Sequence, residues 1–380
     1  MDLKKTKEKS DEYQKGMEKG KENENEKEKE KEKKTKSNEN EKDKKKSNKN
    51  EKENENEKEK VQENQKEIEI EIEKEKEKEK KEGTIQTINI FQDEESVKLQ
   101  IASDMHLEML RKEEELLEYS QNLIQAKGDI LALLGDIGDP FQDGYANFLI
   151  HLSNSFKLIL VIAGNHEYYR IHSQEKDDKR TMESTERKTQ EICSQITKSK
   201  VIFLNTEAIF VKLQNRTLRI LGTTLWSHIP SNAKLKVGSC LNDYRMIYLT
   251  KNKQITVEDT MELFNKNKTW IQKHQYESAL VKNEELIVLT HHSPSLKNTS
   301  DPKYENQITN HAFSSNLEEM YKIGFFGFFK KKKRIPKIWA SGHTHYNFHI
   351  DKNATQLIAN QRGYPWEKVK NWNPEFSIEI

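Results

Sequence analysis

The sequence predicts an α/β fold, a four-layer αββα sandwich of two mixed β-sheets flanked by helices and preceded by a disordered tail. Three observations carry that expectation. Short apolar runs alternate with longer amphipathic stretches through the first part of the folded region, as in a layered α/β domain. The later apolar runs follow one another at hairpin distance, which adds antiparallel neighbours and makes the sheets mixed. Residues 1–82 hold 27 Lys, 28 Asp or Glu and only eight hydrophobic residues. Such a stretch buries too little apolar surface to offset the entropy of ordering it.

The tail also explains an odd average. The 380 residues carry 65 Lys and Arg against 64 Asp and Glu, a net charge of +1, with 34% charged and 33% hydrophobic residues. Without residues 1–82, the remainder is about 25% charged and about 39% hydrophobic, ordinary for a globular domain. The expected organisation is therefore a low-complexity tail over 1–82 and one domain over 83–380. Within the tail, Lys21–Lys36 has no apolar residue, and Ile68, Ile70 and Ile72 alternate with Glu but have no evident strand partner. A charged helix is the alternative for this segment. Clusters such as Lys44-Lys45-Lys46 resemble a nuclear signal, but acidic neighbours dilute them.

Several classes are excluded. No run of 18 or more apolar residues exists to form a transmembrane helix. Met1-Asp2-Leu3-Lys4-Lys5 lacks the apolar stretch that follows in a secretory signal. Cys193 and Cys240 cannot build a disulfide framework or a zinc finger, and they suit a reducing, cytoplasmic compartment. The near-neutral folded part argues against a dedicated nucleic-acid binder.

In chain order, the expected strands are Val97–Ser103, Asp129–Leu134, Lys157–Ala163, Val201–Leu204, Ala208–Leu213, Thr217–Thr223, Glu285–Thr290, Lys337–Ser341, His345–Ile350 and Thr355–Ala359. Helices are expected over Glu108–Ala126, Tyr145–Asn154, Glu183–Lys198 and Val257–Glu277. In the last, Val257, Met261, Phe264 and Ile271 share one face. Ile323–Arg334 breaks the pattern with Gly-Phe-Phe-Gly-Phe-Phe followed by four Lys and one Arg. It reads either as an edge loop or, through Phe325–Arg334, as a surface for nucleic acid or an anionic membrane.

Five short motifs stand at predicted strand ends, where open α/β sheets gather ligands. Ser103-Asp104-Met105-His106 places a carboxylate and an imidazole at i and i+2, both ligands for a divalent transition metal. Gly135-Asp136-Ile137-Gly138-Asp139 follows a buried run, with glycines that permit a sharp turn. Gly164-Asn165-His166-Glu167 offers an amide oxygen beside an imidazole able to donate a proton. Thr290-His291-His292-Ser293-Pro294 puts two adjacent His at a strand end, one as ligand and one lining the cleft. Ser341-Gly342-His343-Thr344-His345 repeats the i, i+2 spacing with imidazoles, expected on one side. Together they supply carboxylates, one amide and four or more His, enough for two metals that share a bridging carboxylate.

The order D-x-H, G-D-x-x-D, G-N-H-E, H, G-H-x-H resembles the calcineurin-like metallophosphoesterase superfamily, over about Val97 to Gln361. Gly222–Ser227, Trp339–Asn347 and Asn360-Gln361-Arg362-Gly363-Tyr364-Pro365 are similar to a subgroup of small single-domain members. The resemblance implies a four-layer αββα sandwich and a hydrolase acting on phosphomonoesters or phosphodiesters. It implies two divalent ions as cofactors, with Mn, Fe, Zn and Ni all suitable. By the same resemblance, Asp104, His106 and His345 hold the first metal and Asn165, His291 and His343 the second, with Asp136 between them. His291 is preferred to His292 because it directly follows Thr290. His166 then faces the leaving-group oxygen, with Asp139 orienting its ring.

Departures narrow the branch. Pro140 and Phe141 follow Asp139 where phosphoprotein phosphatases carry Arg-Gly. No Tyr follows until Tyr145, unlike the Tyr ligand of purple acid phosphatases. No counterpart of the extra DNA-binding regions of repair nucleases is evident after Pro365. Tyr168, Tyr169, Trp226, His228 and Arg245 are candidates to flank the cleft and stack on a base or sugar, and Arg362 to contact phosphate or serve the fold. Two rival functions are a nuclease acting on RNA or single-stranded DNA, and an idle metal-cleft scaffold that binds a protein partner.

Overall fold

The structure is a computed structural model that describes residues 85–110, 119–120, 122–170, 180–322, 333–352 and 354–380. The expected tail over 1–82 and the Phe325–Lys332 part of the aromatic and basic stretch lie outside the described residues.

The described strands are β1 (Gln86–Ile88), β2 (Lys98–Ala102), β3 (Ile130–Leu134), β4 (Leu158–Ile162), β5 (Lys200–Phe203), β6 (Glu207–Lys212), β7 (Thr217–Thr223), β8 (Tyr248–Thr250), β9 (Lys253–Gln254), β10 (Glu284–Thr290), β11 (Ile338–Ala340), β12 (Phe348–Lys352), β13 (Thr355–Ala359) and β14 (Ser377–Glu379). They form one sheet ordered β1-β6-β7-β10-β11-β13-β12 and a second ordered β14-β2-β3-β4-β5, while β8 and β9 pair alone. In the second sheet β2, β3, β4 and β5 run parallel and β14 closes the β2 edge antiparallel. In the first, β7, β10, β11 and β13 run parallel, with antiparallel β6 and β12 beside them. Both sheets are mixed, as expected.

Side-chain alternation along the strands builds the layers. Leu99, Ile101, Ile130, Ala132, Leu134, Leu158, Leu160 and Ile162 from one sheet join Ile220, Ile287, Leu289, Ile338, Ala340 and Ile358 from the other in one apolar cluster. Their neighbours Leu131, Leu133, Ile159, Val161, Leu286, Val288, Trp339 and Leu357 belong to a different cluster, which includes helix residues. Strands that are apolar on both faces read as unbroken hydrophobic runs, which is why the sequence reveals them so clearly.

Among the described residues the helices are α1 (Asp143–Leu152), α2 (Met182–Gln195), α3 (Lys234–Cys240), α4 (Asp243–Met246), α5 (Val257–Ala279), α6 (Pro302–Glu305) and α7 (Glu318–Tyr321), besides short 3-10 turns. α2 packs on β5, and α5 lies against β7 and β10. The start of α5 is fixed by a capping box, in which Thr256 and Asp259 each accept the other's backbone N–H. Among the described residues, no helix is long and apolar enough to cross a membrane.

Two expected elements differ. The helix expected over Glu108–Ala126 falls partly outside the described residues. Its first residues form a single 3-10 turn, Leu107–Met109, and Ile124–Ala126 are not helical. The strand expected from His345 begins only at Phe348, because His345 has φ 47°, a left-handed backbone that no strand accepts. The short strands β1, β8, β9 and β14 and helices α3 and α4 carry too few residues for a periodic signal, and the sequence reading missed them.

One buried ionic group sits beneath α5. Arg219 on β7, 4% exposed, donates through Nε to Glu284 Oε1 at 2.7 Å and through Nη1 to Glu277 Oε2 at 3.0 Å and His274 Nδ1 at 2.8 Å. Removing the cation leaves Glu284 buried and unpaired. Arg219→Met is expected to cost about 3–5 kcal/mol in urea unfolding. Adding Glu284→Leu to it should recover much of that loss. A single variant as stable as the parent contradicts this account.

Candidate metal centre

The parallel strands of both sheets end at one place. Asp104 and His106 follow β2, Asp136 follows β3, Asn165 and His166 follow β4, His291 follows β10, and His343 and His345 follow β11. Most are buried, and Asp104, His106 and His291 are fully inaccessible. The structure therefore brings all seven expected ligands together from chain positions up to about 240 apart.

The convergence does not come from strand alternation. Asp104, His106, Asp136, His343 and His345 all have positive φ, between 47° and 71°. This left-handed backbone costs roughly 1–2 kcal/mol per residue for non-glycine side chains. Strain of this kind persists where the surroundings impose it, typically at functional sites. Within that cluster the two imidazoles of the H-x-H motif take different neighbours, His343 meeting His291 and His345 meeting His106.

His345 Nε2 lies 3.0 Å from His106 Nε2 and 3.4 Å from Asp104 Oδ1. His343 Nδ1 lies 3.1 Å from His291 Nε2, which is also 3.1 Å from Asn165 Oδ1. Asp136 Oδ2 stands between the groups, 3.4 Å from His291 Nε2 and 3.9 Å from His106 Nε2. His292, the alternative to His291, turns away and faces Thr224 O through Nδ1 at 3.2 Å.

The opposite ring nitrogens decide what these atoms offer. His106 Nδ1 donates to Glu108 Oε1 at 2.9 Å, and His345 Nδ1 donates to Glu367 Oε2. His291 Nδ1 donates to Leu134 O at 2.7 Å. Each neutral ring then presents an Nε2 lone pair to the cluster. Asn165 donates through Nδ2 to Asp243 Oδ1 and Tyr169 OH, which turns its Oδ1 inward. Lone pairs facing one another at 3.0–3.1 Å in a buried place repel unless a cation lies among them. The donors fit a divalent metal of intermediate softness. Two sets, Asp104-His106-His345 and Asp136-His291-His343, each bring their ligand atoms within 4.8 Å of one another.

Without a metal, protons take the cation's place. Burial disfavours the charged imidazole of His291, but Asp136 beside it more than reverses this and raises its pKa to about 9. Burial likewise opposes charge on His345, and its hydrogen bonds to Asp104 and Glu367 raise it to about 10. His343 moves the other way, well below the ordinary value, through burial and then the nearby His292 and His291.

Three carboxylates that the sequence reading did not assign organise this site. Glu108 accepts from both His106 Nδ1 and His166 Nδ1 at 2.9 Å. Burial opposes its ionisation, but the imidazole of His106 outweighs that and holds it at about 2. Asp139 was expected in the role toward His166. It is instead bound to Arg180 Nη1 at 2.7 Å and accepts Phe141 N–H at 2.9 Å. Glu108 reaches His166 because the Leu107–Met109 turn folds it back under the two rings. Glu167 accepts the backbone N–H groups of Asp136, Ile137 and Gly164 at 2.7–3.0 Å, tying the ends of β3 and β4 together. Glu367 ties the 361–367 loop to His345. The D-x-H-x-E spacing and the Glu of G-N-H-E were the available signals for the first two.

The aromatic candidates fare differently. Tyr168, Tyr169 and Trp226 are 4–5% exposed and packed in the core, so they cannot stack on a ligand. His228 is exposed, its ring 5.9 Å from that of Phe264, and Arg245 is exposed and bonded to Ser239 O, Cys240 O and Asn242 Oδ1. Arg362 donates to Glu367 O at 3.1 Å, a contact within its own loop.

A family model described as calcineurin-like phosphoesterase matches residues 98–347. The chain is 29% identical over 297 residues to a protein of Acanthamoeba polyphaga mimivirus named Uncharacterized protein L509, covering 74% of this chain and 96% of that one. Its fold is similar to that of phosphopantetheinyl hydrolase (PptH) from Mycobacterium tuberculosis, with a TM-score of 0.54 at 12% identity, over 74% of this chain and 95% of that chain.

Gly164 is where crowding is greatest. A Cβ there would stand 2.1 Å from Asp136 Oδ1 and 2.7 Å from His291 Cε1. Gly164→Ala must displace Asp136 and is expected to cost about 1–3 kcal/mol of stability, read by thermal unfolding. An unchanged unfolding temperature would show that the packing there is looser than described.

Proposed function

The chain belongs to the calcineurin-like phosphoesterase family, and from that membership we propose that it hydrolyses a phosphomonoester or phosphodiester with two divalent ions. The observation that carries this reading is the pair of facing Nε2 atoms of His106 and His345, 3.0 Å apart, each with its Nδ1 spent on a carboxylate. Asp104, His106 and His345 would hold one ion. Asn165, His291 and His343 would hold the other, and Asp136 would serve both. Bound there, the ions would supply Lewis acidity, neutralise charge on phosphoryl oxygens and lower the pKa of a water.

The remaining work falls to this chain's own groups. Glu108 fixes the His166 ring by accepting from Nδ1, which leaves Nε2 for the leaving-group oxygen. Burial disfavours protonated His166, but Asp136 and Glu108 more than offset it and raise its pKa, which suits a proton donor. Tyr364 OH stands 3.3 Å from that Nε2. Asp136 accepts the backbone N–H of His166 at 2.8 Å through Oδ1, which ties the shared carboxylate to the segment that carries the proton donor. Free Cys193 and Cys240 suit a reducing compartment. We assign the activity to residues 83–380, so a chain that begins at Gly83 should keep its turnover.

The test is Mn-dependent hydrolysis of bis(4-nitrophenyl) phosphate, and of 4-nitrophenyl phosphate if the diester is inert. Asp136→Asn is expected to lose at least about 100-fold in kcat/KM. Activity that survives this change undiminished would rule out the two-ion reading.

The raised imidazole values set the pH dependence. At neutral pH the metal-free protein keeps protons on His291 and His345, whose pKa values are about 9 and about 10. A divalent ion must displace them, so its affinity rises with pH and levels off as those values are passed. Calorimetry at pH 7 in buffers of different ionisation enthalpy should show protons released on Mn binding. Binding without proton release would contradict the assignment.

A further inference from the structure

One exposed tryptophan stacks on a ring that lies against the candidate ligands. Trp366 is 68% exposed, whereas Trp226 and Trp339 are 4% and 0% exposed. Its ring lies parallel to that of Tyr364, with planes 9° apart and centroids 5.1 Å apart. Tyr364 in turn lies against His106, centroids 4.2 Å apart, and against His345 at 4.9 Å. The Tyr-Trp stack therefore leads outward from the candidate ligands themselves.

The loop that carries it is rigidly held. Arg362 N–H donates to Ser103 O at 3.0 Å, beside Asp104. Glu367 accepts from Tyr364 N–H at 3.0 Å and from His345 Nδ1 with the same oxygen. Gly363, at φ 75°, makes the turn that sets Tyr364 over His106. The loop beneath the exposed indole is thus tied to the groups that hold His345, and the indole itself rests on Tyr364. A preordered aromatic face loses little entropy when a flat ligand covers it.

We propose that the Tyr364–Trp366 stack is the base platform of this site, and that its ligand is a nucleoside phosphate. Trp366 takes the nucleobase while the phosphate occupies the His and Asp cluster. Stacking on an exposed indole favours a planar aromatic ring and tolerates any base. Trp366 lies one ring beyond Tyr364, whose own ring is against His106 and His345, so a ligand that joins the cluster to the indole must span that stack. This inference rests on the phosphoesterase reading and narrows its substrate class. It also moves the stacking role from the buried Tyr168, Tyr169 and Trp226 to a residue in the 361–367 loop.

The test uses the full chain with Mn and two phosphonates, in which methylene replaces the bridging oxygen so that neither is hydrolysed. One is the analogue of AMP, the other that of ribose 5-phosphate. Calorimetry should find the AMP analogue bound about tenfold more tightly. Trp366→Ala should lower it to the level of the ribose analogue, and Trp366→Phe, which keeps a flat ring, should retain most of the difference. If the analogues bind equally or not at all while the diester is still hydrolysed, the platform is wrong and the phosphoesterase reading stands. A Trp366→Ala variant that weakens both analogues alike would also overturn the platform and leave the phosphoesterase reading intact. If hydrolysis is absent as well, the phosphoesterase reading fails and the platform with it.

Discussion

Electron pairs forced together in a dry place are the constraint on which this site depends. Imidazole nitrogens, an amide oxygen and carboxylate oxygens meet at 3.0–3.4 Å, where burial removes the water that would otherwise separate them. Nothing in that set relieves itself. A proton or a metal ion must sit among the donors, and the raised values of His291 and His345 express the same demand in the metal-free protein. The left-handed turns at Asp104, His106, Asp136, His343 and His345 add strain to the repulsion. Both are sustained by two sheets whose shared apolar layer holds the strand ends in place.

The groups behind the ligands do the aiming. Glu108, Glu367 and Leu134 O each take the far nitrogen of one histidine, which fixes its tautomer and leaves the near nitrogen as a lone pair. Asp243 and Tyr169 do the same for Asn165. Glu167 is unlike these. It is fully buried, and burial next to Asp136 pushes its pKa up, while three amide donors favour its ionised form. Its effect is mechanical, since it joins the turns after β3 and β4 and so sets the spacing of Asp136 from Asn165 and His166.

Much of the fold was legible because the central strands are buried on both faces and read as long apolar runs. Thr217–Thr223 and Thr355–Ala359 have the bounds expected of them. The candidate ligands were legible because each motif follows such a run. The errors at the site share one cause, a dependence on contacts distant in sequence. Asp139 lies closer in sequence to His166 than Glu108 does, yet Glu108 reaches the ring and Asp139 goes to Arg180. Tyr168, Tyr169 and Trp226 look like loop residues, but the packing of the strand ends encloses them.

By itself, the sequence determined which side chains end the strands and hence which ligand chemistry is available. Composition and periodicity are local properties, so the layers, the apolar faces and the Asp, Asn and His inventory needed no tertiary information. Only the tertiary structure decided which carboxylate orients His166 and which tryptophan is left facing solvent. Those outcomes depend on positive φ values and on hydrogen bonds between residues as far apart as Asp104 and His343. Such terms arise only once the strands are assembled, because the partners follow different strands.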